Sequence, residues 1–291
     1  MHVYRNFFLL IFILLFISSI TVATRRSAKR TACLVPTETT QQKPVIIFDV
    51  VNVLFKESQV GFAQKIGYGI LASYAVTHWK NPGHRCLDML DTISKEDTQK
   101  PHISLVLNGK TLPRCIVELH EGKKTCIETK NEIKESIEAL DENNYFSSPK
   151  EKNLMVTIMN LMLDPDIIHT VTEPIKPMIA LAQKLKQNGH PLYVCANVPE
   201  EFYMVIQKKY PSIISLFDGI IISAHIKTVK PDNGIFEHLI TTHKLDPKEC
   251  ILIDNCKHNV DAAQSLGMRG VVFEKMSGIN QFLRKQGVSI S

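Results

Sequence analysis

Four polar side chains stand where apolar runs end. Asp49 follows Val45-Ile46-Ile47-Phe48, Asn197 follows the run through Cys195 and Ala196, Lys230 lies in the loop after Gly219–Ser223, and Asp254 follows Cys250-Ile251-Leu252-Ile253. A carboxylate at the end of a buried strand is costly unless it is paired or holds a metal. Two carboxylates from different strands of one parallel sheet can share a magnesium ion, with water and phosphate completing its oxygen shell. A lysine opposite neutralises a bound phosphate as a point charge. An aspartate beside such a metal can attack phosphorus and form an aspartyl-phosphate. Each residue alone has a plainer reading, Asp49 as a turn cap and Lys230 as a solvated loop lysine. Four polar exits in a row are harder to explain that way.

The elements that must position them alternate. Pro177–Gln187, Glu200–Lys209, Asn233–His243 and Val260–Leu266 carry helical spacing, and the runs 191–197, 219–223, 250–255 and 270–273 read as buried strands. Strands alternating with helices predict an α/β fold, a doubly wound parallel sheet whose carboxyl edge gathers the four exits. Residues 59–170 break the alternation and read as an inserted, mostly helical cap. Within it, Ile103–Leu107, the turn Asn108-Gly109 and Cys115–Leu119 predict a small β-meander. The expected organisation is a core of 44–58 and 171–291, the cap at 59–170, a polar linker at 24–43, and residues 1–23 as a signal peptide or membrane anchor.

The motifs Phe48-Asp49-x-x-Asn52-Val53-Leu54, Ala196-Asn197, Val229-Lys230-Pro231-Asp232 with Ile235-Phe236, and Ile253-Asp254-Asn255 with Asn259 and Gly267-Met268 resemble the haloacid dehalogenase-like hydrolase superfamily. The first motif is most similar to the D-x-G-N branch that includes α-glucose-1-phosphate phosphatases. The resemblance covers 44–56 and 174–275, and implies a Rossmann-like core. It implies Asp49 as nucleophile and magnesium ligand, the backbone carbonyl of Val51 and the side chains of Asp254 and Asn255 as further ligands, and Lys230 holding the phosphate. Ala196, Asn197 and Lys230 would face the substrate. The shared metal would bring the carboxylates of Asp49 and Asp254 to roughly 4–6 Å of each other.

Three positions depart from the family pattern. Val51 stands where most family phosphatases place a second Asp as general acid and base, help that is worth about 10²–10⁴ in rate. Ala196 replaces a Ser or Thr hydroxyl whose loss can cost on the order of 10²–10³. Asn255 keeps an oxygen where a second acid is usual, but no charge. The expected activity is therefore a magnesium-dependent phosphatase acting on a small phosphorylated molecule through Asp49. The alternatives are a catalytically impaired relative that binds a ligand or protein, and a metal-free dehalogenase.

Five of the 34 basic residues (Arg5, Arg25, Arg26, Lys29 and Arg30) lie in residues 1–30, which hold no acid, so the rest of the chain has 29 basic against 29 acidic side chains. A neutral body offers no electrostatic footprint for nucleic acid. Phe7–Ala23 is apolar and preceded by Arg5, the build of an export signal. The bases that follow it could instead hold an uncleaved anchor, a membrane tether through residues 7–23. Either way the protein is expected to be exported or membrane-anchored. Of seven cysteines, Cys115 and Cys126 are the disulfide candidates in an exported chain, and Cys195 and Cys250 read as buried small hydrophobes. No C-x-x-C, no paired-histidine metal motif and no G-x-S-x-G occurs.

Overall fold

A computed structural model describes residues 43–290, apart from 79, 80, 100 and 102. Strand β1, Val45–Phe48, is buried on both faces because its side chains alternate between two apolar clusters. Ile46 and Phe48 point to one side and Val45 and Ile47 to the other, as the two-residue period of a strand requires. The chain then leaves the sheet through β2 (Phe55–Glu57) and passes through α1 (Gln59–Ile66), α2 (Tyr68–His78) and α3 (Pro82–Glu96). A hairpin follows, β3 (Val106–Leu107) and β4 (Lys110–Thr111). Four more helices complete the insertion, α4 (Arg114–His120), α5 (Cys126–Glu142), α6 (Pro149–Met162) and α7 (Pro165–Val171), and the chain returns by β5 (Thr172–Pro174).

From there helix and strand alternate: α8 (Lys176–Gln187), β6 (Leu192–Ala196), α9 (Glu200–Lys209), α10 (Pro211–Ile214), β7 (Gly219–Ile222), α11 (Ser223–Ile226), α12 (Asn233–His243), β8 (Cys250–Asp254), α13 (Lys257–Ser265), β9 (Arg269–Val272) and α14 (Met276–Lys285). Five strands form one parallel sheet in the order β7-β6-β1-β8-β9. Helices α8, α9 and α14 cover one face through Met178, Leu185, Ile206 and Leu283. Helices α12 and α13 cover the other through Phe236, Leu239 and Ala263. This is the doubly wound α/β arrangement, and its strand order reverses between β1 and β8, where such sheets bind ligands.

The insertion has its own apolar core, in which Met89, Leu119, Ile133, Leu140 and Met155 are buried. It is tethered by a two-stranded antiparallel ribbon, β2 against β5, that pairs Phe55 with Pro174 and Glu57 with Thr172. The Asn108-Gly109 turn joins β3 to β4, with both residues at positive φ. The third strand of the expected meander is not a strand. Cys115–Leu119 lies in α4, because Pro113 ahead of it has no N–H to contribute to a ladder and Cys115, Ile116 and Leu119 fall on one helical face that enters the cap core. The hairpin that would have joined Cys115 to Cys126 is therefore absent. The two thiols sit in successive helices, free and buried, and burial pushes each up to about 12. Cys195 and Cys250 are fully buried strand residues.

The expected signal or anchor at 1–23 and all of the linker except Lys43 lie outside the described residues. Among the described residues no single helix is long and apolar enough to cross a membrane.

Candidate active site

Register brings the carboxylates together. Phe48 of β1 pairs with Ile253 of β8, so Asp49 and Asp254, one residue further on, leave the sheet side by side. The backbone N–H of Asp49 donates to the Ile253 carbonyl at 3.0 Å. Asp49 is 6% exposed, Asp254 0% and Lys230 1%. The Lys230 ammonium lies between the two carboxylates, donating to Asp49 Oδ1 at 2.8 Å and Asp254 Oδ2 at 2.5 Å, with its third bond to the Cys195 carbonyl at 2.8 Å. Those oxygens of Asp49 and Asp254 can be no farther apart than the two bonds laid end to end.

The loop after β1 shapes the rest of the site. Asn52 has φ +59°, the left-handed conformation that asparagine tolerates better than other side chains. Its N–H donates to the Phe55 carbonyl at 2.7 Å, and Leu54 and Phe55 both return to the Val50 carbonyl. The turn leaves Val51 39% exposed, an apolar side chain at the mouth of a charged centre. Ala196 ends β6 fully buried and offers no hydroxyl.

Sequence reasoning placed Asn197 against substrate. In the structure both ends of its amide serve Lys230: Oδ1 accepts the Lys230 backbone N–H at 2.7 Å, and Nδ2 donates to the Lys230 carbonyl at 2.9 Å. The side chain fastens the exit of β6 to the loop that carries the lysine. Asn259, from the last motif, acts on Asp254. Its Nδ2 donates to both oxygens of Asp254 at 3.1 Å, and the Cys256 N–H reaches Asp254 Oδ1 at 2.8 Å. Only the i+5 spacing from Asp254, one helical turn into α13, could have signalled it.

The electrostatics follow from burial. Asp49 is raised from 3.8 to about 6, first by burial and then by the neighbouring Asp254, against the pull of Lys230. Burial alone would lower the Lys230 ammonium; Asp254 and Asp49 outweigh it and hold the lysine above its ordinary value. The lysine is therefore a fixed cation shared by two carboxylates.

The donor set fits a divalent cation. The side-chain oxygen of Asn255 faces Asp49 Oδ2 and the Val51 carbonyl oxygen, each at 3.3 Å. Asn255 thus reaches both oxygens, as a donor when its amide is turned or as a third oxygen when a cation lies among them. Hard oxygen donors of this kind suit magnesium. Among the described residues no group of three or more His, Cys, Asp or Glu is placed to hold a metal, so the set must draw on amide and backbone oxygens. Asp254, expected as a ligand, has both oxygens engaged by Lys230, Asn259 and the Cys256 N–H.

Comparison with known proteins supports the assignment. The model of the haloacid dehalogenase-like hydrolases matches residues 44–267. A sesquiterpene phosphatase of Aspergillus oryzae is 35% identical over 95 residues, 32% of this chain and 47% of that protein. A drimenol cyclase of Aspergillus calidoustus is 31% identical over 104 residues, 35% of this chain and 20% of its own length. The matched part thus spans less than half of either relative. A haloacid dehalogenase family enzyme of Bacteroides thetaiotaomicron superposes with a TM-score of 0.52 at 16% identity, over 84% of this chain and 100% of that one. Its magnesium complex superposes with a TM-score of 0.50 at 15% identity over the same shares. At that identity these structures speak for the fold alone. The family model, spanning most of the chain and both carboxylate-bearing strands, shows that this protein belongs to the haloacid dehalogenase-like hydrolases.

Proposed function

We propose that the protein is a magnesium-dependent phosphatase acting on a small phosphate monoester. The observation that carries this reading is the Lys230 ammonium held between Asp49 and Asp254 at the reversal of the sheet, with Asn255 facing both Asp49 Oδ2 and the Val51 carbonyl. A carboxylate fixed on a lysine at the reversal of the sheet is set to attack phosphorus. Attack by Asp49 forms its bond to phosphorus as the ester P–O bond breaks. Water then attacks the same phosphorus, frees phosphate and restores the carboxylate. Lys230 holds charge beside the phosphoryl oxygens throughout. Magnesium, held by Asp49, the Val51 carbonyl and Asn255, would supply charge stabilisation at the phosphoryl group.

Val51 carries no proton, so the departing alkoxide takes its proton from water. Rate should then depend steeply on the leaving group. The exposed Val51, and a relative named as a sesquiterpene phosphatase, support an ester of an apolar alcohol. The apolar run 7–23 supports export or a membrane tether, and the neutral body gives nucleic acid no purchase.

The test is turnover on an aryl phosphate, a sugar phosphate and an isoprenyl phosphate, with and without magnesium, beside Asp49→Asn. Magnesium-dependent phosphate release abolished in the variant supports the enzyme. A folded protein with no release above that control favours the second reading, a ligand-binding relative. That reading rests on the buried Ala196, which leaves the β6 exit without a hydroxyl donor.

A further inference from the structure

One turn of the cap, between α4 and α5, makes three hydrogen bonds to the core, apart from the packing of α7 on α9 and the bond of Lys209 to the His169 carbonyl. The His120 carbonyl accepts from Ser223 Oγ at 2.5 Å. The Gly122 carbonyl accepts from Lys227 Nζ at 2.6 Å. The Cys126 N–H donates to Glu201 Oε1 at 2.8 Å. The fit is close, because a Cβ on Gly122, which has φ +61°, would come within 2.4 Å of the Ala224 carbonyl oxygen.

All three partners belong to two core segments. Glu201 lies just past the β6 exit, which carries Asn197. Ser223 and Lys227 lie between β7 and Lys230. These are the two segments that the Asn197 amide already ties together at Lys230. Ser223 joins them a second time. Its fully buried hydroxyl accepts the Val198 N–H at 3.1 Å while donating to the cap. One hydroxyl thus connects the cap turn, the residue after Asn197 and the helix that leads to Lys230. With the cap turn lifted, the Ser223 hydroxyl would lose that acceptor.

We propose that Ser223 is a positioning residue that couples docking of the cap to the placement of Lys230, so that the lysine is held in register only while the cap is seated. The inference rests on the phosphatase reading for its catalytic meaning, but the coupling itself can be measured without turnover.

The experiment is amide hydrogen exchange on the full-length protein and on Ser223→Ala and Lys227→Met. It follows peptides covering the His120–Cys126 turn, Val198 and Thr228–Lys230, with β1 and β8 as internal references. Lys227 is exposed, so its variant removes one cap contact without opening a buried site. In Ser223→Ala the Lys230 amide, whose acceptor is Asn197, should exchange roughly three- to tenfold faster, the scale of one lost hydrogen bond. Val198 and the cap turn should change with it, while β1 and β8 stay protected. Lys227→Met should give the same pattern at smaller amplitude, and carries the test if Ser223→Ala fails to fold. Faster exchange at Val198 or the cap turn with Lys230 unchanged overturns the proposal. Where turnover is present, both variants should lower kcat more than they raise KM. A protein without turnover that still shows coupled exchange would refute the phosphatase reading and leave this inference standing.

Discussion

Two buried carboxylates, one in the core and one in the cap, titrate in opposite directions. Asp49 is raised to about 6, whereas Glu151 is lowered from 4.5 to about 2. Both have little exposed surface and both meet a cation, but Asp49 lies deeper, so burial raises it further, and the two differ in the donors that meet them. Burial works to raise Glu151 too, but its oxygens collect the Ser147 N–H at 2.7 Å, the Ser147 hydroxyl at 2.6 Å, the Arg85 Nε at 2.7 Å and the Tyr74 hydroxyl at 3.2 Å. Four donors satisfy one charge. Asp49 shares a single ammonium with a second carboxylate. The cap carboxylate is solvated by the fold and clamps α2, α3 and α6 together. The core carboxylate is left short of positive charge, as a cation or phosphoryl site requires.

The contrast breaks most sharply at Asp49. Asp49→Asn should lower phosphate release by at least about 10⁴-fold, the scale for loss of a nucleophile. It should not lower the melting temperature, because it removes one of two like charges. A drop in Tm would show that Asp49 is structural. Next in size is Lys230→Met, which leaves two facing carboxylates uncompensated. Urea unfolding should show a loss of about 3–5 kcal/mol at neutral pH, part of it recovered by millimolar magnesium. No recovery would count against a metal beside Asp49.

Glu151→Gln leaves the Arg85 guanidinium without its buried partner and should cost about 3 kcal/mol. Magnesium should recover none of that loss, and exchange should accelerate first in α2 and α3. The sign of the pH effect follows from the lowered carboxyl. Its support for folding is full above the ordinary value of 4.5 and drains away as pH falls toward about 2. An acid titration followed in Glu151→Gln should therefore lack that part of the stability loss. The smallest effect is expected at Gly122→Ala, where a methyl meets the Ala224 carbonyl in left-handed backbone. A loss of about 1–3 kcal/mol in Tm-derived stability is expected, with the core's own unfolding unchanged in urea.

The core was legible because its physics is local. Val45–Phe48 and Cys250–Ile253 are apolar on both faces, which in a short run means a central strand, and a carboxylate at such an end draws attention by its cost. The cap hid its organisation. Ile116-Val117 looked extended by β-propensity, but the preceding Pro113 and the cap core made it helical. Glu151 in a helical pattern reads as a solvent-facing acid; nothing in the spacing announces that Tyr74, Arg85 and Ser147 converge on it. Asn197 was found as a site residue, but its partner, the backbone of Lys230, depends on how two loops meet and not on either loop alone.

The β2–β5 ribbon has a consequence for chain entropy. The ends of the insertion leave and return as paired strands, so the sheet meets the whole cap as one loop whose mouth is already closed. The closure penalty for such a loop grows only with the logarithm of its length, about 0.6 kcal/mol for each doubling. The core is therefore nearly indifferent to how much chain hangs between Glu57 and Thr172.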